Sequence, residues 1–218
     1  MDQLENARGS GERVVSGWEA RRILASVDIP VVRETRVFTR NEALAAARLI
    51  GFPVALRRWS PTGASFPDTC LNLPDDAALV TAFERMTLAP RAGGFGALVQ
   101  EMLQAERPLR ASYAIGPTGA WVSVGIGGVY ARMVRDEVRR QAPLGPGEAH
   151  EMIVRLRAAP LLGAYRGLSP LALDVLDRIL DQLGRLGSSL PELQEIWVDR
   201  ILARRESPVC LDARLYFA

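Results

Sequence analysis

The order in which hydrophobic periodicity changes along the chain constrains its fold more than any single motif. Helical and strand patterns alternate through the first half, whereas in the second half strand follows strand and helices interrupt. Trp18, Ala20, Ile23 and Leu24 recur at helical spacing behind Ser16, a residue suited to capping a helix. Residues 29–38 read as a strand with Pro30 at its start. Thr39 then caps a helix whose apolar face carries Ala43, Leu44, Ala47 and Ile50, and Gly51 closes it. A strand over 52–60 leads into a turn-rich loop over 60–69, the short run Leu71-Asn72-Leu73, and a helix opened by Pro74 and Asp75. Beyond it, 96–103 is a strand, 108–116 and 120–128 form a hairpin, and 129–143 continues as strands. A helix over 147–158 follows Pro146. In the next helix Leu171, Val175, Ile179, Leu183 and Leu186 share one face, and a hairpin turning at 204–207 ends the chain. This order is that of an α+β protein in two lobes, without an internal repeat.

Composition narrows the chemistry. The chain has 218 residues, and all 27 of its basic side chains are arginine. Without lysine there is no Schiff-base chemistry, no phosphate-loop lysine and no carrier site for biotin or lipoate. Arginine and alanine enrichment is also what a GC-rich coding sequence produces. A formal charge of +2 gives neither a nucleic-acid surface nor a basic membrane-binding helix. No stretch approaches the roughly 18 apolar residues of a membrane span. Cys70 and Cys210 form no disulfide framework, and the lone His150 makes no metal cluster. The expected compartment is cytoplasmic. Residues 1–16, polar and Gly/Ser-bearing, read as a linker or fusion joint. Residues 17–98 then form an N-terminal lobe, and residues 99–218 a C-terminal one.

Short segments distributed over residues 14–218 carry a resemblance. They are Glu19-Ala20, Gly51-Phe52-Pro53-Val54, Ser60-Pro61, Leu71-Asn72-Leu73 and Val99-Gln100-Glu101-Met102. Further on come Gly125-Ile126-Gly127-Gly128, Asp136, Arg140 with Ala142-Pro143-Leu144, Arg166-Gly167 and Leu211-Asp212-Ala213-Arg214. In this order the chain resembles the ATP-grasp domain of NDP-forming acyl-CoA synthetases, the beta subunits of ADP-forming acetyl-CoA synthetases and their fused relatives. The resemblance implies an ATP-grasp fold, ATP and Mg²⁺ as cofactors, and partner domains that bind CoA and carry a phosphohistidine. Such chemistry needs backbone groups for adenine, cations for phosphates and acidic oxygens for the metal. By resemblance, Val99, Gln100, Glu101 and Met102 form the adenine hinge and Arg57 takes the place of a phosphate-reaching lysine. Gly127 and Gly128 belong to a glycine-rich strand end, Arg140 and Arg166 match family arginines, and Asp199 and Asp212 suit Mg²⁺. Each has a plainer reading beside it. Arg57 or Arg58 simply faces solvent, the glycines serve a bulge or strand crossing, and Glu101 ends a buried strand.

Departures from the family gather at the chemistry. Ser65 and Phe66 replace a histidine and a lysine in the loop Ala64–Asp68, and its glycine pair is absent. Arg132 stands for a glutamate, and Trp197 and Arg200 replace the acidic residue and proline of a D-x-N-P segment. Serine does not replace imidazole as a phosphoryl carrier without an activating base. Three readings follow: an ATP-grasp module of an acyl-CoA synthetase, a catalytically degenerate nucleotide-binding regulatory module, or a structural interaction domain.

Overall fold

The computed structural model describes residues 13–59, 68–88, 96–129 and 131–218. Strand β1 (Arg13–Ser16) runs straight into helix α1 (Gly17–Ser26), a sharp change of direction made at Gly17 with φ +64°. The chain divides into a unit spanning Val32–Leu103 and a larger one joining the residues up to Val31 with Gln104–Ala218.

The smaller unit contains β2 (Glu34–Val37), α2 (Arg40–Ile50), β3 (Val54–Trp59), β4 (Thr69–Leu73), α3 (Asp76–Thr87) and β5 (Gly96–Glu101). Its strands form one antiparallel sheet in the order β2-β5-β3-β4. A capping box starts α2. The Thr39 hydroxyl accepts from the Glu42 N–H, and the Glu42 carboxylate accepts from the backbone of Thr39 and Phe38. Asp75 caps α3 by accepting from the Ala78 N–H at 2.8 Å. Strand alternation puts Val37, Val54, Leu56, Ala97 and Val99 into one core with Ala43 and Ala47 of α2 and Leu79 and Phe83 of α3.

The larger unit continues with β6 (Gln104–Gly116), β7 (Gly119–Ile126), α4 (Ala131–Val134), β8 (Glu137–Gln141), α5 (Glu148–Val154), a 3₁₀ turn (Ala159–Leu162), α6 (Leu173–Ser189), β9 (Leu193–Arg204) and β10 (Ser207–Phe217). Its six strands lie in the order β1-β10-β9-β6-β7-β8, all antiparallel. The stripe on α6 is buried as its periodicity predicts. Val175, Leu176, Ile179, Leu180, Leu183 and Leu186 join Tyr113, Val122, Ile196 and Val198 of the strands. Arg107 binds the segment after α5 to β6. Its guanidinium donates to the carbonyls of Leu161 at 3.2 Å, Gly163 at 3.0 Å and Ser169 at 2.7 Å.

Three expectations change. Arg13–Ser16 is no linker but an edge strand paired with β10, register Arg13 with Phe217; residues 1–12 lie outside the described residues. Within the stretch expected as continuous strand, Ala131–Val134 is a helical turn and only Glu137–Gln141 is strand. The division of the chain falls between Leu103 and Gln104, not after residue 98, and α1 belongs to the larger unit, where Ala20 and Leu24 share its core.

Helix α6 packs on β6 at Gly187, where a Cβ would lie 2.4 Å from the ring of Tyr113, itself 2 % exposed. Overpacking costs about 1–3 kcal/mol, against about 1 kcal/mol that alanine returns in helix propensity. Gly187→Ala is therefore expected to lower stability in urea denaturation by about 1–2 kcal/mol. In a Tyr113→Leu background, where the ring is gone, the same change is expected to be neutral or stabilising.

Candidate functional site

In the smaller unit, alternation along β3 separates two adjacent arginines. Arg58 turns to the side of Val54 and Leu56, is 7 % exposed, and donates to Asp68 at 3.1 Å and to the Met86 carbonyl. Arg57 takes the other face with Ala55 and Trp59, opposite Leu98 of β5 and Thr69 of β4. The same helix-free face carries Gln100, whose amide donates to Glu34 at 2.6 Å. It also carries Arg36, whose guanidinium lies 4.6 Å over Trp59 and 5.4 Å from the Phe38 ring centre. Arg58 is thus structural, and Arg57 is the half-exposed member of the pair.

The expected hinge is mostly strand. Val99 is fully buried, and β5 is paired on both sides, so the backbone groups of Val99 and Gln100 belong to its ladders. Met102 is the first residue past the strand. Glu101 is buried, and both of its oxygens are engaged: Oε1 accepts from the Arg33 N–H at 2.8 Å and Oε2 from Arg33 Nε at 2.8 Å. A ribose or amine contact through this carboxylate would compete with Arg33, a partner that sequence spacing does not reveal.

In the larger unit the glycine run meets the chain's own backbone. A Cβ at Gly125 would lie 2.6 Å from the Asp136 carbonyl oxygen, and one at Gly127 2.8 Å from that of Leu109. Gly128, at φ +77°, would meet Pro108 at 2.9 Å. These glycines serve close strand crossings. Arg140 pairs across the ladder with the core residue Val122 and so faces the helices. There it donates to Glu148 and Glu151 of α5, each at 2.5 Å. Both ends of its guanidinium are used to seat α5. Arg166, by contrast, is exposed, with its guanidinium 5.3 Å over Tyr165.

Asp199 and Asp212 lie on neighbouring strands at a pair of bulges. Val198 pairs with Ala213, Arg200 with Asp212 and Ile201 with Cys210, so Asp199 is the extra residue of β9 and Leu211 that of β10. Val198 and Ile201 both enter the core, leaving Asp199 and Arg200 exposed between them. Asp212 accepts from Arg200 Nε at 2.7 Å and also from Arg200 Nη2. Its other oxygen lies 3.9 Å from Arg21 Nη1. Trp197 donates its indole N–H to Glu195 at 2.8 Å and offers no metal ligand. As held here, Asp212 is an arginine acceptor, so Asp199 and Asp212 do not form a ready pair of Mg²⁺ ligands. Among the described residues, no three His, Cys, Asp or Glu side chains converge to hold a metal ion.

Other sequence candidates are also accounted for. Asp136 is buried and accepts from the backbone N–H groups of Arg157 at 3.0 Å and Ala158 at 2.8 Å. His150 lies on α5 with Nδ1 3.3 Å from Asp177. Arg132 is exposed on α4, and Ser65 and Phe66 lie outside the described residues.

The ATP-grasp domain profile matches residues 6–216. The chain belongs to the ATP-grasp family. The beta subunit of ADP-forming acetate–CoA ligase I of Pyrococcus furiosus is 29 % identical over 97 % of this chain and 95 % of its own length. The 4-hydroxybutyrate–CoA ligase of Nitrosopumilus maritimus is 27 % identical over 90 % of this chain, which corresponds to 30 % of that longer protein. A chain of the dinucleotide-forming acetyl-coenzyme A synthetase 1 of Candidatus Korarchaeum cryptofilum, solved with coenzyme A and Ca-AMPCP, superposes with a TM-score of 0.83. It is 28 % identical over 100 % of this chain and 99 % of that one. This ATP-grasp chain therefore resembles the beta subunits of ADP-forming acyl-CoA synthetases over almost its whole length. Among the described residues no helix is long and apolar enough to cross a membrane.

The cluster that seats α5 gives this ATP-grasp domain an acid-sensitive point. Glu148 accepts from the Gly145 N–H at 2.8 Å, and that bond, then the Arg140 guanidinium, holds its carboxyl below the ordinary 4.5. A lowered carboxyl pKa contributes stability that is complete above the unfolded value and is lost as pH falls through the folded one. Melting temperature followed from neutral pH to well below 4.5 should therefore fall less steeply in Glu148→Gln than in the parent. The thiols offer a second check. Cys210 is fully buried and burial pushes its thiol up to about 12, whereas Cys70 is partly exposed beside Arg85 Nη2 at 2.9 Å. Ellman's reagent is expected to label Cys70 alone in the native protein and both cysteines after denaturation.

Proposed function

We propose that this chain is the nucleotide-binding ATP-grasp module of an ADP-forming acyl-CoA synthetase, acting with CoA-binding and phosphohistidine-bearing partner domains in the cytoplasm. The observation that carries the reading is its match to the beta subunit of an ADP-forming acetate–CoA ligase, spanning 97 % of this chain and 95 % of the relative. Physical placement adds support. Arg57 stands on the helix-free face of its sheet, where a guanidinium can meet phosphate oxygens and form two parallel hydrogen bonds that lysine would not. Met102, first past the β5 ladder, has backbone polar groups beyond the sheet for the base. Gln100 shares the face with Arg57, and its link to Glu34 fixes the orientation of its amide.

In this reading the domain's own residues bind and orient the nucleotide, while the acyl and CoA chemistry belongs to the partners. Phosphoryl transfer is mostly positioning and charge compensation, which suits an arginine-based site. A divalent ion, when present, would neutralise phosphate charge. Asp212 is taken by arginine, so such an ion would arrive on the nucleotide and not on this carboxylate. The replacement of the family's loop histidine and lysine by Ser65 and Phe66 puts the burden of phosphoryl acceptance on the partner. A silent or purely structural role is the less economical reading, because the match to a ligase subunit extends along 97 % of the chain.

Titration calorimetry with ADP and ATP is expected to give saturable binding. Arg57→Ala should weaken it about tenfold or more, the loss of about one charge-assisted contact, in protein whose thermal melt verifies that it is folded. Absence of binding at millimolar nucleotide would reject the reading. Transfer of label from ATP to the histidine of an added partner subunit then tests the enzymatic step.

A further inference from the structure

The segment at Asp212 departs from a divalent-metal site in a directed way. The acidic residue of the family's D-x-N-P segment is here Trp197, whose indole has no lone pair to donate. Beside it, Arg200 reaches across the ladder to its register partner Asp212 and donates from both Nε and Nη2 to the same carboxylate oxygen. Arg21, 1 % exposed, stands behind this pair and donates to the Leu211 carbonyl at 3.1 Å. Asp212 thus has a guanidinium on each oxygen, one buried and one half-exposed. The two guanidinium groups more than match the single charge of Asp212. A divalent ion entering at Asp212 would have to displace Arg200 and lie near two fixed positive charges. An anion meets the opposite situation, because an arginine has five N–H donors and Asp212 takes only two from Arg200.

We propose that Arg200 is the resident cation of Asp212 in place of a divalent metal, and that its remaining N–H groups receive nucleotide phosphate directly. Nucleotide binding by this chain is then independent of metal ligation by the protein. The bulged strands provide the geometry. Asp199 and Arg200 project outward together between two core residues, and Asp212 orients the guanidinium from below. The phosphate half of this inference rests on the nucleotide-binding function proposed above; the resident-cation half does not.

Two measurements on the full chain separate them. In the first, Mn²⁺ is titrated into the protein alone and free Mn²⁺ is read by electron paramagnetic resonance. The parent is expected to show no saturable site below millimolar, while Arg200→Ala and Arg200→Gln gain one, tightening about tenfold or more as Asp212 is released. Thermal melts verify that both variants fold. Saturable Mn²⁺ binding by the parent that disappears in Asp212→Asn would overturn the proposal, as would variants that fold and gain nothing. In the second, ADP affinity is measured in EDTA and in Mg²⁺. The parent is expected to bind within about threefold under the two conditions, and Arg200→Ala to lose about tenfold in EDTA. A requirement for Mg²⁺ removed by Asp212→Asn would overturn the proposal while leaving the nucleotide function standing. Failure to bind ADP under either condition would reject that function and with it the phosphate contact. The Mn²⁺ titration would still decide the resident cation.

Discussion

The ladder that joins β6, β9 and β10 determines what every side chain in the larger unit can do. These are three of the four central strands of its sheet, and their side chains alternate between a helix-covered core and the opposite face. Paired bulges at Asp199 and Leu211 reset that alternation once. Without them, the three-residue step from Val198 to Ile201 would turn one of the two out of the core. With them, both stay inside and a short stretch of charge is pushed outward. The same rule operates across β7 and β8, where Arg140 shares a rung with the core residue Val122 and so meets α5. In the smaller unit it assigns Arg58 to the helix-packed core and Arg57 to the opposite face.

Much of the architecture was legible in the residues because it depends on local signals. Thr39 with Glu42, Asp75 ahead of α3, and the apolar stripe of α6 are short-range patterns, and each element forms where its pattern stands. Family membership was legible for a different reason: many weak matches kept their order. Strand β1 was not legible, because its four polar and aliphatic residues become strand only by pairing with β10 some 200 positions away. Residues 131–134, Ala-Arg-Met-Val, suit either a strand or a helical turn, and tertiary context decided for the turn.

The candidate site was less legible than the fold, for one recurring physical reason. A charged side chain announces its type in the sequence but not its partner. Glu101 is suited to a ribose, yet Arg33, distant in sequence, occupies both of its oxygens. Asp212 is suited to a metal, yet Arg200 and Arg21 flank it. Glycines behave likewise, for the run at 125–128 that resembles a ligand cradle is filled by the backbone of β6 and by Asp136. The all-arginine composition sharpens this tendency. A planar fork with five donors bridges partners where an ammonium would make a single point contact, so many of the chain's cations are anchored to acidic groups or carbonyls.

Arg107 shows what such anchoring permits. Its guanidinium grips the carbonyl oxygens of Leu161, Gly163 and Ser169, and carbonyl oxygens are the same whichever residues supply them. The grip of Arg107 is therefore indifferent to the side chains at these three positions, while Leu162 of the same segment is held by the core. The exposed positions of such a connection, Arg166 among them, can be rewritten while its path over the domain stays the same. Recognition can drift there at little structural cost, as long as one arginine on β6 is kept.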